Sequence, residues 1–417
     1  MALKIDESEL QEERYSRLRL IPWWDQAKIA ACRVLVVGAG ALGNEILKNL
    51  ALLGFRHVVV VDIDRIEESN LSRTVLYRKE DLGELKVTAA ARAYRSILED
   101  AIVQPLDANI LYECGLGLFL WSDIVLAGLD NREARLWINR SAWKTGRPWI
   151  DGAIEGINGV ARVFLPGQPP CYECTLGEID WAILEKRMSC NLLAHRADAG
   201  GKVPTTPTIS SVIAGMEVQE AVKLLHGLPT LNGEGFVFEG LNHSSYKVKY
   251  TENSECMSHY TLPRIVRLAE SSEALTLEAL WQRAQADLKD ACAAAPAGAA
   301  SSNEDAGAGE VVLEFSRDVI HRLCCPECGG ERELFAPVGS VSFETGACPR
   351  DGARCVVETI HGYTGTEAWG NRSLAQLGLP LYDIFVARRG EEEIGYLPAG
   401  DAAKVLGALA CEEGSNG

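Results

Sequence analysis

The six residues "GAGALG" at positions 38–43 constrain this chain more than any others. They follow a short apolar run, "RVLVVG" (33–38), and overlap the start of "ALGNEILKNLALLG" (41–54). In the second stretch Leu42, Ile46, Leu50 and Leu53 recur at helical spacing, and Gly54 stands where a C-cap belongs. The pattern is therefore strand, glycine turn, helix. The motif glycines Gly38, Gly40 and Gly43 let a phosphate or ribose approach the backbone, and the helix N-terminus favours negative charge there. Asp62 ends the next apolar run, "HVVVVD" (57–62), where a ribose-binding carboxylate belongs. Together with "DIVLAGLD" (123–130), these continuous apolar strands suit a parallel sheet covered on both faces. Taken alone, the motif says "nucleotide", and a dinucleotide-dependent dehydrogenase fits it equally well.

The pattern then changes. "RPWIDGAIEGINGVARVFLPG" (147–167) alternates and carries glycines, as antiparallel strands do. A long helix is expected over "TISSVIAGMEVQEAVKLLHG" (208–227), with Ile209, Val212, Ile213 and Met216 on its apolar face. Strands at "GFVFEG" and "SYKVKY" close a first domain near residue 260. The small, polar stretch 291–309 reads as a flexible loop inside a second module that also holds a cysteine-rich region.

With 417 residues there is length for two or three domains. The net charge of −17 argues against a nucleic-acid binder. No run of about 18 apolar residues predicts a membrane span, and the acidic start is unlike a signal peptide. A cytoplasmic setting follows as the expectation. There the thirteen cysteines point to metal ligation or catalysis rather than disulfides.

Residues downstream of the glycine turn separate the nucleotide chemistries. "DIDRIEESNLSRTVL" (62–76) contains Asn70 and Arg73, "DLGELKVTAAARA" (81–93) contains Lys86 at a helix start, and "GLDNREARLWINR" (128–140) brings Asp130 and Asn131 to a strand's end. With these motifs in this order the chain resembles, over residues 11–260, the ubiquitin-activating enzymes and the bacterial adenylyltransferases that serve sulfur carriers of cofactor synthesis. The resemblance implies an α/β fold: a Rossmann-like adenylation domain over 31–265 with a mixed central sheet. An N-terminal helical arm (1–30) precedes it, and a smaller α+β module (266–417) follows.

The same resemblance implies the chemistry. The family joins a protein's C-terminal glycine carboxylate to the α-phosphate of ATP, and bringing two anions together needs positive charge. Arg73 and Lys86 match its triphosphate contacts, and Asp130 matches the acid that holds Mg²⁺. Asp62 matches the ribose ligand, and Asp64, Asn70 and Asn131 complete the nucleotide set. Within "RYSRLRL" (14–20), Arg17 matches a helix arginine that reaches into a partner subunit's site, which implies a homodimer.

Two metal sites are expected. "PCYEC" offers Cys171 and Cys174, and in the family this knuckle shares a structural zinc with a second pair far downstream; here "ECMSH" offers Cys256 and His259. A Cys₃His tetrahedron is an accepted zinc site. "LCCPECGG" (323–330) and "CPRDGARC" (348–355) look like a zinc ribbon with Cys325, Cys328 and Cys348. Either Asp351 or Cys355 completes it, and Cys324 competes. Family members often carry a C-terminal ubiquitin-fold domain that recruits the conjugating enzyme. No clear version is present, and the ribbon module is expected to serve as the docking surface instead.

Cys190 is left over. It sits in "KRMSCNLLAHR", within the crossover loop (about 175–207) where ubiquitin-activating members carry the thioester-forming cysteine. Lys186, Arg187, His195 and Arg196 surround it in sequence and favour the thiolate. The leading expectation is thus activation of a ubiquitin-like protein, thioester formation at Cys190 and transfer to a conjugating enzyme. A second reading keeps adenylation but serves sulfur transfer in cofactor synthesis or tRNA thiolation; the lack of an evident rhodanese-like module favours the first. A third is a non-catalytic partner that docks the modifier. The retained Arg17, Arg73, Lys86 and Asp130 argue against it and against a dehydrogenase. The alanine-rich composition fits a bacterial chain, for which a ubiquitin-like conjugation operon, including the antiphage type, is the expected home.

Overall fold

The computed structural model describes residues 13–189, 204–294 and 310–415. Cys190, His195, Arg196 and residues 295–309 lie outside the described residues. Helix α1 (Gln26–Ala31) leads into β1 (Arg33–Val37), α2 (Ala41–Leu53), β2 (His57–Asp62), α3 (Lys86–Ile97) and β3 (Ile102–Asp107). The chain continues through α4 (Leu116–Trp121), β4 (Ile124–Ala127), α5 (Arg132–Thr145), β5 (Trp149–Glu155), β6 (Asn158–Phe164), α6 (Glu178–Ser189), α7 (Pro207–Leu225), β7 (Glu234–Glu239) and β8 (Ser244–Lys249). These eight strands form one sheet in the order β3-β2-β1-β4-β5-β6-β7-β8. The first five are parallel and the last three join antiparallel. The central sheet is mixed, as expected.

Strand order reverses between β1 and β4, so a crevice opens beyond the carboxyl ends of those two strands. Alternate residues of the parallel strands face opposite layers. Val34, Val36, Val58, Val60 and Leu126 pack with α2, α3 and α7, while Leu35, Val37, Val59, Val61 and Val125 pack with α4 and α5. Burial on both faces accounts for the unbroken apolar runs read in the sequence.

The apolar face expected for α7 needs correction. Ile209 and Ile213 are buried, but Val212 is 38% exposed. Beside Ile209, Ile213, Val218 and Val222, the buried side of α7 takes in Ser210, Ala214, Glu217 and Ala221; α7 packs against α2, and small residues allow a close approach. The N-terminal arm differs too. Residues 14–20 form turns and a three-residue 3-10 helix, Leu18–Leu20, rather than an α-helix. Pro22 pushes Ile21 out of helical geometry and stops propagation.

The second part holds β9 (Ile265–Leu268), α8 (Leu277–Ala294), β10 (Val312–Cys324), β11 (Glu331–Pro337), β12 (Val356–Tyr363), β13 (Phe385–Arg389), β14 (Glu392–Pro398) and α9 (Ala402–Leu406). Its sheet runs β11-β10-β13-β14-β9, with β12 also paired to β10. Residues 291–294 of the stretch expected to be a loop are helical, because α8 continues to Ala294; alanine is the best helix former. Tyr382, Ile384, Val386, Leu397, Leu406 and Leu409 share one core with α4, α5 and the first sheet. Arg317 fastens the contact: its guanidinium donates to the carbonyls of Leu111 and Cys114, lies 3.1 Å from Asp383, and covers the Trp137 ring at 4.3 Å. No helix among the described residues is long and apolar enough to cross a membrane.

Candidate functional site

The glycine turn works by close backbone contact. Gly38 has φ +95°, and a Cβ there would lie 2.4 Å from the Gly128 carbonyl oxygen. A Cβ on Gly43 would lie 1.9 Å from the Gly38 oxygen. The ends of β1 and β4 and the first turn of α2 therefore touch through Gly38, Gly43 and Gly128. Gly40 differs, since a Cβ there would meet nothing within 4 Å. It is also the N-cap of α2 and supplies no capping side chain. The first-turn N–H groups thus face a crevice whose floor is bare backbone, which suits an anion. Gly128 escaped the sequence reading, although its place before Leu129-Asp130 was the available signal.

The turn is held from below by side chains that periodicity does not reveal. Buried Asn44 donates to the carbonyls of Ala39 (2.7 Å) and Gly40 (3.1 Å) and accepts from the Leu76 N–H (2.9 Å). The buried Tyr77 hydroxyl also lies on the Ala39 carbonyl (2.7 Å) and reaches the Lys86 carbonyl (3.2 Å). From above, the Asp62 carboxylate accepts the N–H groups of Ala39 (2.7 Å) and Asp64 (2.8 Å). Burial raises the Asp62 carboxyl above its ordinary value, while Lys86 and the two N–H groups oppose that rise. Lys86 opens α3, and its ammonium pairs with Asp64 at 2.6 Å.

Asn70 is buried and closes a capping box with Glu67, accepting its N–H at 2.9 Å. Half-buried Arg73 follows, its guanidinium on the Ser69 carbonyl at 2.6 Å. Asp130 is exposed just beyond β4, and Asn131 caps α5 by accepting the Ala134 N–H at 2.8 Å. The loop carrying Asp130 is anchored by buried Arg135, which donates to the Leu129 carbonyl (2.6 Å), the Gly152 carbonyl (2.9 Å) and Asp151 (2.7 Å). Asp151 is fully buried and also pairs with Arg162. Burial alone would raise the Asp151 carboxyl, but Arg135 and Arg162 together hold it below the ordinary carboxylate value. Beside them Glu217 is fully buried and neither carboxyl oxygen has a hydrogen-bond partner. Burial, reinforced by Asp151, pushes it well above the carboxylate range.

The structure thus brings Gly38, Gly40, Gly43, Asp62, Asp64 and Lys86 into one contacting group, with Asp130 and Asn131 at the neighbouring strand end. Arg17 stands apart. It is exposed beside Tyr15, whose hydroxyl abuts Gly54. Gly54 ends α2 and Gly40 begins it, roughly 20 Å away along 13 residues of helix.

The first cysteine group matches its expectation in geometry. Cys171, Cys174, Cys256 and His259 present ligand atoms within 4.8 Å of one another. The Cys171–Cys174 and Cys171–Cys256 sulfurs are 3.8 and 3.5 Å apart, and the Cys174 sulfur is 3.3 Å from His259 Nε2. Those are edge lengths of a tetrahedron with metal–sulfur bonds of about 2.3 Å. His259 is oriented by stacking on Trp143 at 4.6 Å. In the second group Cys325, Cys328 and Cys348 gather with Asp351. Cys355 is buried in one small cluster with Ile320, Leu323, Val341 and the ligand candidates Cys325 and Cys348, but it is not among the four residues whose ligand atoms lie within 4.8 Å of one another. Cys324 also lies outside, its sulfur directed at Glu358.

Comparison with known proteins agrees with this architecture. The family model described as the ThiF family matches residues 13–258. The NEDD8-activating enzyme E1 catalytic subunit of Arabidopsis thaliana is 41% identical over 157 residues, 34% of each chain. The SUMO-activating enzyme subunit uba-2 of Caenorhabditis elegans is 39% identical over 158 residues, covering 37% of this chain and 27% of that one. The match therefore spans about a third of the length of these relatives. Among solved structures, E. coli MccB with ATP superposes with a TM-score of 0.50 at 20% identity, over 60% of this chain and 75% of that one, a likeness of fold. With more than half of its length matched by the family model, the chain belongs to the ThiF family.

Proposed function

We propose that this protein is an ATP-dependent activating enzyme for a ubiquitin-like protein, and that the crevice between β1 and β4 is its adenylation site. The observation that carries the reading is the cation at the glycine turn: Lys86 meets Asp64 at 2.6 Å, one hydrogen bond from Asp62, which itself holds the Ala39 N–H. A phosphate-binding turn with a fixed lysine beside it suits transfer at phosphorus, where charge builds on the phosphate oxygens.

In this reading Gly40 and the first turn of α2 receive phosphate oxygens, and Asp62 receives the ribose. Lys86 and Arg73 neutralise the triphosphate. Asp64, Asn70 and Asn131 shape the pocket wall. The exposed Asp130 carboxylate fits a hard cation such as Mg²⁺, which supplies charge neutralisation on the phosphates when bound. Arg17, too far from its own Gly40, would act in a second copy, making the working unit a homodimer. A carboxylate oxygen of the modifier's terminal glycine attacks the α-phosphorus, and pyrophosphate leaves.

The second step is assigned to Cys190. Its thiolate attacks the acyl carbon, a thioester forms and AMP leaves; a conjugating enzyme's thiol then takes the acyl group. What supports this is the anchoring of α6, which ends at Ser189. At its start Asp180 pairs with Arg132 at 2.7 Å, two residues from Asp130. Zinc on Cys171, Cys174, Cys256 and His259 would fix the base of this segment, because the knuckle lies directly before α6.

The test uses a glycine-terminated ubiquitin-like protein, radiolabelled pyrophosphate and non-reducing electrophoresis. Cys190→Ala is expected to keep pyrophosphate exchange and lose the thiol-labile adduct. An adduct that persists in this variant assigns the thioester to another cysteine.

A further inference from the structure

The second cysteine group belongs to no part of the adenylation site. It lies at the tip where β10 turns into β11 and where the chain returns into β12. Two hexapeptides build it, Cys-Pro-Glu-Cys-Gly-Gly (325–330) and Cys-Pro-Arg-Asp-Gly-Ala (348–353). Their backbones repeat each other. The Cys325 N–H donates to the Gly330 carbonyl at 2.8 Å and the Gly329 N–H to the Cys325 carbonyl at 3.1 Å. In the second, the Cys348 N–H donates to the Ala353 carbonyl at 2.8 Å and the Gly352 N–H to the Cys348 carbonyl at 2.9 Å. Gly329 and Gly352 take φ +65° and +72°, the left-handed turn that each knuckle needs. By this repeat Asp351 stands where the first knuckle has Cys328.

The side chains converge accordingly. The Cys328 and Cys348 sulfurs are 3.6 Å apart, and Cys325 is 3.4 Å from the nearer Asp351 oxygen. All four ligand atoms lie within 4.8 Å of one another. Strand pairing of β10 with β11 and β12 reaches Cys324, and beyond it the tip has only a small apolar core. Its apolar cluster consists of Ile320, Leu323, Val341 and three cysteines, with a few half-buried neighbours.

We infer that Cys325, Cys328, Cys348 and Asp351 form a Cys₃Asp zinc site that holds the β10–β11–β12 tip together. Three thiolates and one carboxylate carry four negative charges, as four thiolates do, so the set satisfies Zn²⁺ without Cys355. The carboxylate is the hardest donor of the four. Asp351 and Cys328 are also the exposed members, so they are the ligands a chelator reaches first.

The experiment measures zinc bound to the purified full-length chain and its release to a chromogenic chelator. The wild type is expected to hold about two zinc ions per chain. Asp351→Ala should lose one of them, Asp351→Cys should keep both and release the second more slowly, and Cys355→Ser should match the wild type. Circular dichroism of each variant checks that the chain's overall secondary structure is retained. Asp351→Ala retaining as much zinc as wild type overturns the assignment. Loss of one zinc in Cys355→Ser, with Asp351→Ala unchanged, overturns it in favour of Cys355. Because Asp351→Ala is compared with wild type, occupancy of the Cys171 group does not enter the result.

Discussion

Lys86 and Asp64 are tied twice. The Lys86 ammonium sits 2.6 Å from an Asp64 carboxylate oxygen, and its backbone N–H donates to the Asp64 carbonyl at 2.9 Å. The backbone bond fixes the start of α3 beside the glycine turn, while the ion pair leaves the ammonium on a carboxylate that is 61% exposed. An incoming phosphate can replace that carboxylate without moving the helix. Lys86→Ala is therefore expected to lower pyrophosphate exchange by about 10²–10³-fold, the usual loss for one charge-stabilising group. Lys86 is buried while its partner carboxylate is exposed, so the ion pair itself should contribute no more than about 1 kcal/mol, and any larger loss of stability reports the buried lysine stem. Exchange kinetics and urea unfolding of the same preparation check both halves.

Gly40, Gly43 and Gly128 predict two separable outcomes. Gly40→Ala meets open space, so the variant should fold with near-normal stability and bind ATP more weakly, because its methyl group occupies the phosphate floor. Gly43→Ala drives a methyl group into the Gly38 carbonyl, and Gly128→Ala places one 2.8 Å from the Gly43 nitrogen. Both should unfold at lower denaturant than wild type, by about 1–3 kcal/mol for overpacking. Equal destabilisation in all three variants would contradict the contact scheme.

Glu217 gives a pH signature. Burial holds its folded carboxyl protonated at pH values where the unfolded chain has released the proton. Its contribution is fully present below the unfolded value and is lost as pH rises toward the folded one. Glu217→Gln removes this dependence, so the variant should gain stability over wild type, more at pH 8 than at pH 5. Urea midpoints at the two pH values measure it, and a smaller gain at pH 8 is the contrary result. Asp151 has the opposite sign: Arg135 and Arg162 depress it, so its contribution is present above the unfolded value and lost as pH falls through the folded one.

Asp383 tests the join between the two sheets. It accepts the Leu116 N–H at 2.8 Å and pairs with Arg317, and both side chains are almost wholly buried. Asp383→Ala leaves the Arg317 guanidinium without its charge partner and should cost about 3–5 kcal/mol. Differential scanning calorimetry reads the loss.

What the sequence made legible was what repeats or alternates. The parallel strands showed as apolar runs because both faces are covered, and the glycine turn and both knuckles showed as fixed spacings. The supports beneath the site did not. Asn44, Tyr77 and Arg135 act through individual hydrogen bonds, such as Asn44 to Leu76, that leave no periodic trace. Val212 misled for a related reason: Ile209 and Ile213 do face the core, but a helix packed tightly on α2 also buries alanine, serine and even glutamate, so hydrophobicity alone does not mark the edge of the buried face of α7. The choice between Asp351 and Cys355 depended on backbone turns that repeat between the two knuckles, which composition does not encode.

The central claim is that the crevice at Lys86 and Asp130 joins a protein carboxylate to AMP. The direct measurement is ATP–pyrophosphate exchange by the purified chain with a glycine-terminated ubiquitin-like protein, comparing wild type with Asp130→Ala. Exchange is expected to require the added protein and to be abolished in the variant; exchange that survives undiminished in Asp130→Ala would contradict adenylation at this crevice.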